Sequence, residues 1–272
     1  MMRALWTAAS GMKTQQTNVD VISNNISNVN TVGYKSEKAE FKSLLYQTIQ
    51  AKTTSANGEE KPIPAQVGLG TRLASTTSNY TNGSLLESDT PGSFAIQGDG
   101  FFQIRGADGN LYYTRNGNFN WMTGTNGVTL CTQEGYQVLD SNGQAITLPA
   151  NVNSEAVSYS RTAKELGYTN AAGEYVSLNQ SFGIYQFNNP AGLEKTGNNL
   201  LEETDASGAA MNEATTQGLT LSTVYDGYLE GSNVNVADEM VNLIVAQRAY
   251  ELNSKAIQAA DSMLGQANQL RS

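Results

Sequence analysis

Residues 4–29 read ALWTAASGMKTQQTNVDVISNNISNV, and their spacing decides how the chain begins. Leu5, Met12, Val19 and Ile26 recur every seven residues, and Ala8, Gln15, Ile22 and Val29 form a second series offset by three. Two such series place one apolar seam along a helix, the pattern of a coiled coil, with Gln15 its one polar member. Gly11 weakens the helix by about 1 kcal/mol relative to Ala. Asn28, Asn30, Thr31 and Gly33 form a turn cluster that stops it. A short apolar group follows, Phe41, Leu44, Leu45, Tyr46 and Ile49, whose periodicity fits a short helix or a strand equally.

The far end of the chain mirrors the first. From Val236 to about Leu270 a long helix is expected, opened by Asn235 with Asp238 three residues on, a capping-box arrangement, and supported by a Glu251–Lys255 pair. It carries two apolar stripes. Met240, Leu243, Tyr250, Ile257 and Leu264 make one; Val241, Val245, Leu252, Ala256, Ala259, Met263 and Leu270 make the other. A helix apolar on two sides requires more than one neighbour, so the first helix is expected to cover one stripe and other copies of the chain the rest.

Between the ends the pattern changes period. From Val67 to Tyr228, turn dipeptides at Asp99-Gly100, Asp108-Gly109, Asn116-Gly117, Asn126-Gly127, Glu134-Gly135 and Asn142-Gly143 punctuate short strand-like runs. That spacing predicts an antiparallel all-β domain made of hairpins. The expected fold is therefore α+β, with long N- and C-terminal helices forming a coiled coil, and with a central antiparallel all-β domain. Four sections follow: 1–50 with the first helix, 51–66 as a Thr-, Ser- and Gly-rich linker, 67–228 as the β domain, and 229–272 with the last helix.

A net charge of −9, with no cluster of Lys and Arg, argues against nucleic acid as a partner. Lys35 and Lys38, split by Glu37, read as a solvated face. The absence of His and the single Cys131 exclude an intrachain disulfide, a Cys/His zinc site and the usual catalytic triads. Gly98-Asp99-Gly100 lacks the rest of a dinucleotide fingerprint and reads as a hairpin turn, and Gly192 to Gly197 is followed by Asn198 and Asn199 where a phosphate loop needs Lys and Ser or Thr. Glu202, Glu203 and Asp205 are the densest carboxylates, in a Gly-, Ala- and Thr-rich stretch that reads as solvated loop. No catalytic, cofactor or metal residue is expected, and no apolar run reaches the roughly 20 residues of a membrane span. The N-terminus shows no cleavable signal pattern.

Residues Asn24-Asn25-Ile26-Ser27-Asn28-Val29-Asn30-Thr31-Val32-Gly33-Tyr34-Lys35 resemble the signature A-N-N-(L/I)-A-N-x-x-T-x-G-(F/Y)-K of the flagellar rod and hook axial proteins, with Ser23 and Ser27 at its alanines. Residues 232–241 and 246–255, which include Gln247 and Arg248, look like the matching C-terminal signature. The segments Leu44 to Ile49 and Gln66 to Arg72 are most similar to those of distal rod members; Tyr159 to Ser181 matches least. The resemblance implies a non-enzymatic subunit of the distal rod, polymerised into a helical tube that acts as drive shaft between proximal rod and hook. It implies export by the flagellar type III apparatus without signal cleavage. Its implied partners are further copies of itself, the proximal rod and hook-side axial proteins, the export apparatus and the bushing rings of the envelope. Proximal rod and hook proteins share these signatures and are the nearest alternatives; a secreted carbohydrate-active β enzyme would need opposed carboxylates in a cleft. In this reading Leu5, Met12, Val19, Ile22, Ile26, Val29, Met240, Leu243, Tyr250, Ile257 and Leu264 form the assembly seam. The family signature rests on Asn24, Asn25, Asn28, Thr31, Gly33, Tyr34, Gln247 and Arg248.

Overall fold

The computed structural model describes residues 2–50, 65–124, 127–149, 152, 156–170 and 174–270. The chain divides into two compact units, one built from residues 1–27, 37–78 and 235–272, the other from 28–36 and 79–234. This partition differs from the four sections read from the sequence. Residues 67–78 belong with the helices, and the turn segment 28–36 belongs with the β structure. Most of the expected linker, 51–64, lies outside the described residues; Ala65 and Gln66, placed in it, open a strand instead.

The first unit holds two helices and two ribbons. Helix α1 spans Met2–Ser27 and α2 spans Val236–Gln269. Asn235 caps α2 by accepting from the Ala237 amide at 3.1 Å and donates to Asp238 at 2.8 Å, satisfying one of the orphan donors at the helix start. Asp238 and Glu239 in its first turn complement the helix dipole. The expected Glu251–Lys255 pair gives way to Arg248–Glu251, one turn toward the N-terminus, at 2.8 Å and solvent-exposed. The two helices pack against each other. Gly11 lies against Asn253, whose side chain would stand 2.9 Å from an added Cβ, and Asn25 bonds Glu239 at 3.1 Å. These two ties fix an antiparallel pair in constant register.

Strand β1 (Glu37–Ser43) pairs antiparallel with β4 (Thr71–Ser78), and β2 (Tyr46–Gln50) pairs antiparallel with β3 (Ala65–Gly68). The ambiguous group at 41–49 is thus strand. Gly70, at φ +120°, faces Ser10 of α1 so closely that a Cβ would meet its hydroxyl at 2.1 Å, and Thr71 bonds Thr14 at 3.2 Å. A side chain at 70 would push this ribbon off the helix.

The second unit is antiparallel β structure with the main core. In chain order its strands are β5 (Leu85–Glu87), β6 (Phe94–Gln97), β7 (Phe101–Arg105), β8 (Leu111–Thr114), β9 (Asn120–Gly124), β10 (Gly127–Cys131) and β11 (Gln137–Val138). There follow β12 (Thr147–Leu148), β13 (Val157–Ser160), β14 (Glu165–Thr169), β15 (Tyr175–Gln180), β16 (Ile184–Gln186), β17 (Glu194–Gly197), β18 (Leu200–Glu202), β19 (Met211–Asn212), β20 (Thr223–Asp226) and β21 (Tyr228–Glu230). The largest sheet runs β12-β10-β11-β7-β8-β18-β17, with β9 on β10 and β16 joining β7 to β19. Strands β13, β14 and β15, within and just before the stretch Tyr159 to Ser181, form a separate three-stranded sheet.

Asn126 of the Asn126-Gly127 pair lies outside the described residues, and three of the other five dipeptides, Asp108-Gly109, Glu134-Gly135 and Asn142-Gly143, close antiparallel pairings as their chemistry predicts. Asp99-Gly100 and Asn116-Gly117 do not. β6 leaves the hairpin path to pair with β20, so the segment read as a hairpin turn at 98–100 instead links strands of different sheets. The glycines serve close approach there: Gly117 lies under Phe94, whose carbonyl oxygen would be 1.6 Å from an added Cβ. The core gathers Phe94, Ile96, Phe102, Ile104, Phe119, Leu130, Val138 and Phe182, with Phe102 edge-on to Phe119 and Phe182. These rings thus pack edge to face, the arrangement their quadrupoles favour.

Burial pushes the phenols of Tyr113 and Tyr159 up to about 12. The folded state therefore favours the neutral ring; the stability it lends is complete below pH ~10 and is lost as pH rises through ~12, at up to about 1.4 kcal/mol per unit for each ring. Ultraviolet titration of tyrosinate should show two rings ionising late, together with alkaline loss of β structure.

Candidate assembly surface

The residues of the α1 seam differ in how far they are covered. Ala8 and Ile22 are buried, and Leu5, Met12, Gln15, Val19 and Ile26 are partly covered. Two polar side chains missed by the heptad count are also buried on α1: Thr14, which bonds Thr71 of β4, and Asn25, which bonds Glu239 of α2. Val29 lies past the end of α1 and belongs to the other unit.

On α2 the covered row is Glu239, Leu243, Ala246, Asn253, Ile257, Ala260 and Leu264, at alternating three- and four-residue steps about Tyr250. Met240, expected in this row, is 54% exposed, and Tyr250 remains 42% exposed. The reason is geometric. From Leu243 the next step back along the row falls on Glu239, whose carboxylate accepts from Asn25; Met240 stands about 100° further round. Small Ala246 and Ala260, rather than larger apolar residues, are the fully buried members, which lets the two backbones approach closely.

The opposite face of α2 carries Met240, Val241, Ile244, Val245, Leu252 and Met263, all half-exposed or more. The second stripe thus stands uncovered within the chain, and Met240 with Ile244 widens it. Next to Tyr250 a shallow groove of about 400 Å³ opens between the helices, lined by Gln16, Val19, Gln247, Tyr250 and Glu251. Gln247 and Arg248 of the signature are exposed. Leu45, Tyr46 and Ile49 of the β1–β2 region add exposed apolar surface, as do Met2 and Trp6.

The N-terminal signature resolves into two tasks. Asn25 brackets the start of β1, donating to the Glu37 carbonyl at 2.8 Å and accepting from its amide at 2.9 Å, so the chain leaving α1 is brought back to it. Asn24 is exposed, while Thr31 donates to Asn28 at 3.1 Å inside the turn. Gly33 at φ +69° donates its amide to the Glu230 carbonyl and lies on the Arg115 backbone, where a Cβ would be 2.7 Å away. Tyr34 is buried, with Lys195 near its ring.

Lys35 is not a solvated side chain. It is 5% exposed and its ammonium lies 2.6 Å from Oε1 of Glu230, a carboxylate 1% exposed, and 2.8 Å from the Thr81 carbonyl. Arg115 meets Oε2 of the same carboxylate at 3.4 Å, donates to Gly98 and Asn82, and stacks over Phe101. Burial lowers the affinity of both Lys35 and Arg115 for their protons, and Glu230 opposes that effect. A charge with an even mixture of neighbours in sequence gives no sign of this; only the position of Lys35 directly after the buried Gly-Tyr pair could have hinted at it.

Among the described residues no group of three or more Cys, Asp or Glu is arranged to hold a metal ion. Glu202 ends β18 and Glu203 accepts from the Ala210 amide, so both act locally. What the geometry offers is uncovered apolar helix surface on a unit whose ends are tied together.

Comparison with known proteins agrees with that. Residues 5–35 match the family described as flagella basal body rod protein, 95–160 the flagellar hook protein FlgE/F/G D1 domain, and 225–270 the flagellar basal body rod FlgEFG protein C-terminal region. The flagellar basal-body rod protein FlgG of Borreliella burgdorferi is 43% identical over all of this chain and 99% of its own length. Those of Agrobacterium fabrum, at 41% over 96% of this chain and 97% of its own, and Bacillus subtilis, at 36% over 97% of each, are similar end to end. The chain belongs to the flagellar basal-body rod protein family. It is a structural subunit of the distal rod, in the flagellar basal body. No helix among the described residues is long and apolar enough to cross a membrane.

Proposed function

We propose that copies of this chain polymerise side by side into a helical tube, which transmits torque as a drive shaft from the proximal rod to the hook. The observation that carries this is the apolar face of α2, where six large side chains from Met240 to Met263 lie uncovered within the chain. Exposed apolar area of this kind on a helix is stabilised by burial against a neighbour, at about 25 cal/mol per Å². The α1–α2 pair, packed as a coiled coil through Leu5, Met12, Val19, Ile22, Ile26, Leu243, Tyr250, Ile257 and Leu264, anchors each subunit, and load spreads over many interfaces instead of one site. The exposed signature residues Gln247 and Arg248 flank the contact. The chain is passed outward by the flagellar export apparatus without signal cleavage, joins proximal rod and hook-side axial proteins at the two ends of the tube, and turns within the bushing rings of the envelope.

The test is a V245D/L252D double variant. Both positions are exposed, so the isolated chain is expected to keep its helix content and thermal transition. Motility should be lost and basal bodies should end at the proximal rod. Motile cells with rods of normal length would refute the surface assignment. Hydrogen exchange gives a second measure: amides of α2 are expected to exchange at least tenfold more slowly in assembled rods than in dilute monomer.

A further inference from the structure

One carboxylate in the β unit serves two buried cations, and the three come from distant parts of the chain. Lys35 lies 195 residues before Glu230, and Arg115 lies 115 before it. The side chains of Lys35, Arg115 and Glu230 are 4%, 2% and 1% exposed. Asp99 also attracts both cations, but it is exposed and its field is screened by water. Buried Glu213 also attracts Arg115, but its carboxylate is engaged by Ser222 and Gln186 and bonds neither cation. Within the cluster itself two positive charges share one buried carboxylate. Arg115 is fixed by its own unit, through Gly98, Asn82 and the Phe101 ring.

Glu230 is also the point at which three passages of chain are tied. Its Oε1 accepts from the Gly83 amide at 3.0 Å as well as from Lys35, and its carbonyl accepts from the Gly33 amide at 2.8 Å. Three residues on, Asn233 accepts from the Ser36 amide at 2.7 Å and donates to the Asn79 carbonyl at 2.7 Å. Residues 28–36, 79–83 and 230–233 thus meet at one carboxylate and one amide side chain.

We propose that Glu230 is a charge key: residues 28–36 dock on the β unit only when residues 228–234 are in place, because seating Lys35 beside Arg115 without Glu230 would bury two like charges. Desolvated like charges a few ångströms apart repel strongly, and neither can escape to water at these exposures. A chain that forms or arrives from its N-terminus thus carries an undocked signature segment until its C-terminal part has followed. The segment that connects α1 to the rest cannot close early on an incomplete partner. This inference rests on the geometry of the β unit alone and stands apart from how copies assemble.

Hydrogen exchange on the full-length chain tests it. In E230Q, which keeps the shape and removes the charge, the amides of Gly33, Ser36 and Gly83 are expected to exchange about 100-fold faster than in the parent. Core amides such as Ile104 and Leu130 should be unchanged. Adding K35M to E230Q removes one of the two cations, and exchange at Gly33 and Ser36 should slow again by at least tenfold. Acceleration below tenfold in E230Q, equal acceleration of the core, or a double variant no slower than E230Q would each overturn the charge-key assignment.

Discussion

Ile22→Asp is expected to separate the helix pair and to abolish motility. Ile22 is 5% exposed in α1, in the part of the helix where Asn25 ties to Glu239, and Ala246 is the buried residue of α2 nearer that end. An aspartate there loses the burial of an isoleucine and places a carboxylate without a partner among apolar groups, a combined cost of about 4 kcal/mol. A typical domain has only about 5–15 kcal/mol in total, and this unit has a thin core. Its buried apolar residues on the helices are Ala8, Ile22, Ala246 and Ala260, of which Ile22 alone is large. Circular dichroism of the purified variant should show a marked loss of helix at temperatures where the parent is intact, and soft-agar swarming should fail. Val19→Asp is expected to be milder: Val19 is only partly covered and borders the open groove at Tyr250, so its carboxylate can turn to water. If Ile22→Asp retains full helix content and motility, the α1–α2 pair is not what holds this unit together.

The same residues show what could be read from the chain unaided. A seven-residue repeat reports the direction of a helix face, and on α1 that face includes the buried Ile22 and Ala8. On α2 two apolar stripes compete, and hydropathy cannot say which one the partner helix takes. The structure gives the seam to the row with small residues and polar ties, Ala246, Ala260, Asn253 and Glu239, while the more hydrophobic row faces outward. That inversion is what the proposed side-by-side assembly requires, in which the more apolar surface is left for a neighbouring copy. Turn dipeptides marked where strands end, but a turn does not say whether the two strands it joins will pair. At Asp99-Gly100, where Gly100 packs on Ile184, the chain passes between sheets, and at Asn116-Gly117, where Gly117 packs on Phe94, it joins β8 to β9, two strands of one sheet that do not pair with each other. The ionic cluster was invisible for a further reason. Lys35, Arg115 and Glu230 are each unremarkable locally, and only folding brings charges so far apart in sequence together. By contrast Asn25 stands in the family signature, and its two hydrogen bonds to the Glu37 backbone bring the chain leaving α1 back onto the helix.

Phe102→Ala should have the largest effect on the β unit, and a different signature from Ile22→Asp. Phe102 is fully buried, with ring centroids 5.2 Å from Phe119 and 5.3 Å from Phe182, and it sits in β7 between β8 and β16, near the centre of the main sheet. Removing the ring loses its transfer energy and leaves a cavity that the edge-packed neighbours can fill only by tilting, for a cost of about 3–5 kcal/mol. Gly117 and Phe94 press against the same region, so there is little slack for collapse. The two units have separate cores: the Phe102 cluster contains no residue of either helix. In a denaturant titration, near-ultraviolet dichroism, which reports the packed Tyr and Phe rings, should shift to lower denaturant in Phe102→Ala. The far-ultraviolet helical signal should keep its midpoint. Ile22→Asp should do the reverse. A single shared transition that moves equally in both variants would show that the chain folds as one cooperative body, and that damage anywhere in the β unit is felt by the helices that carry the assembly surface.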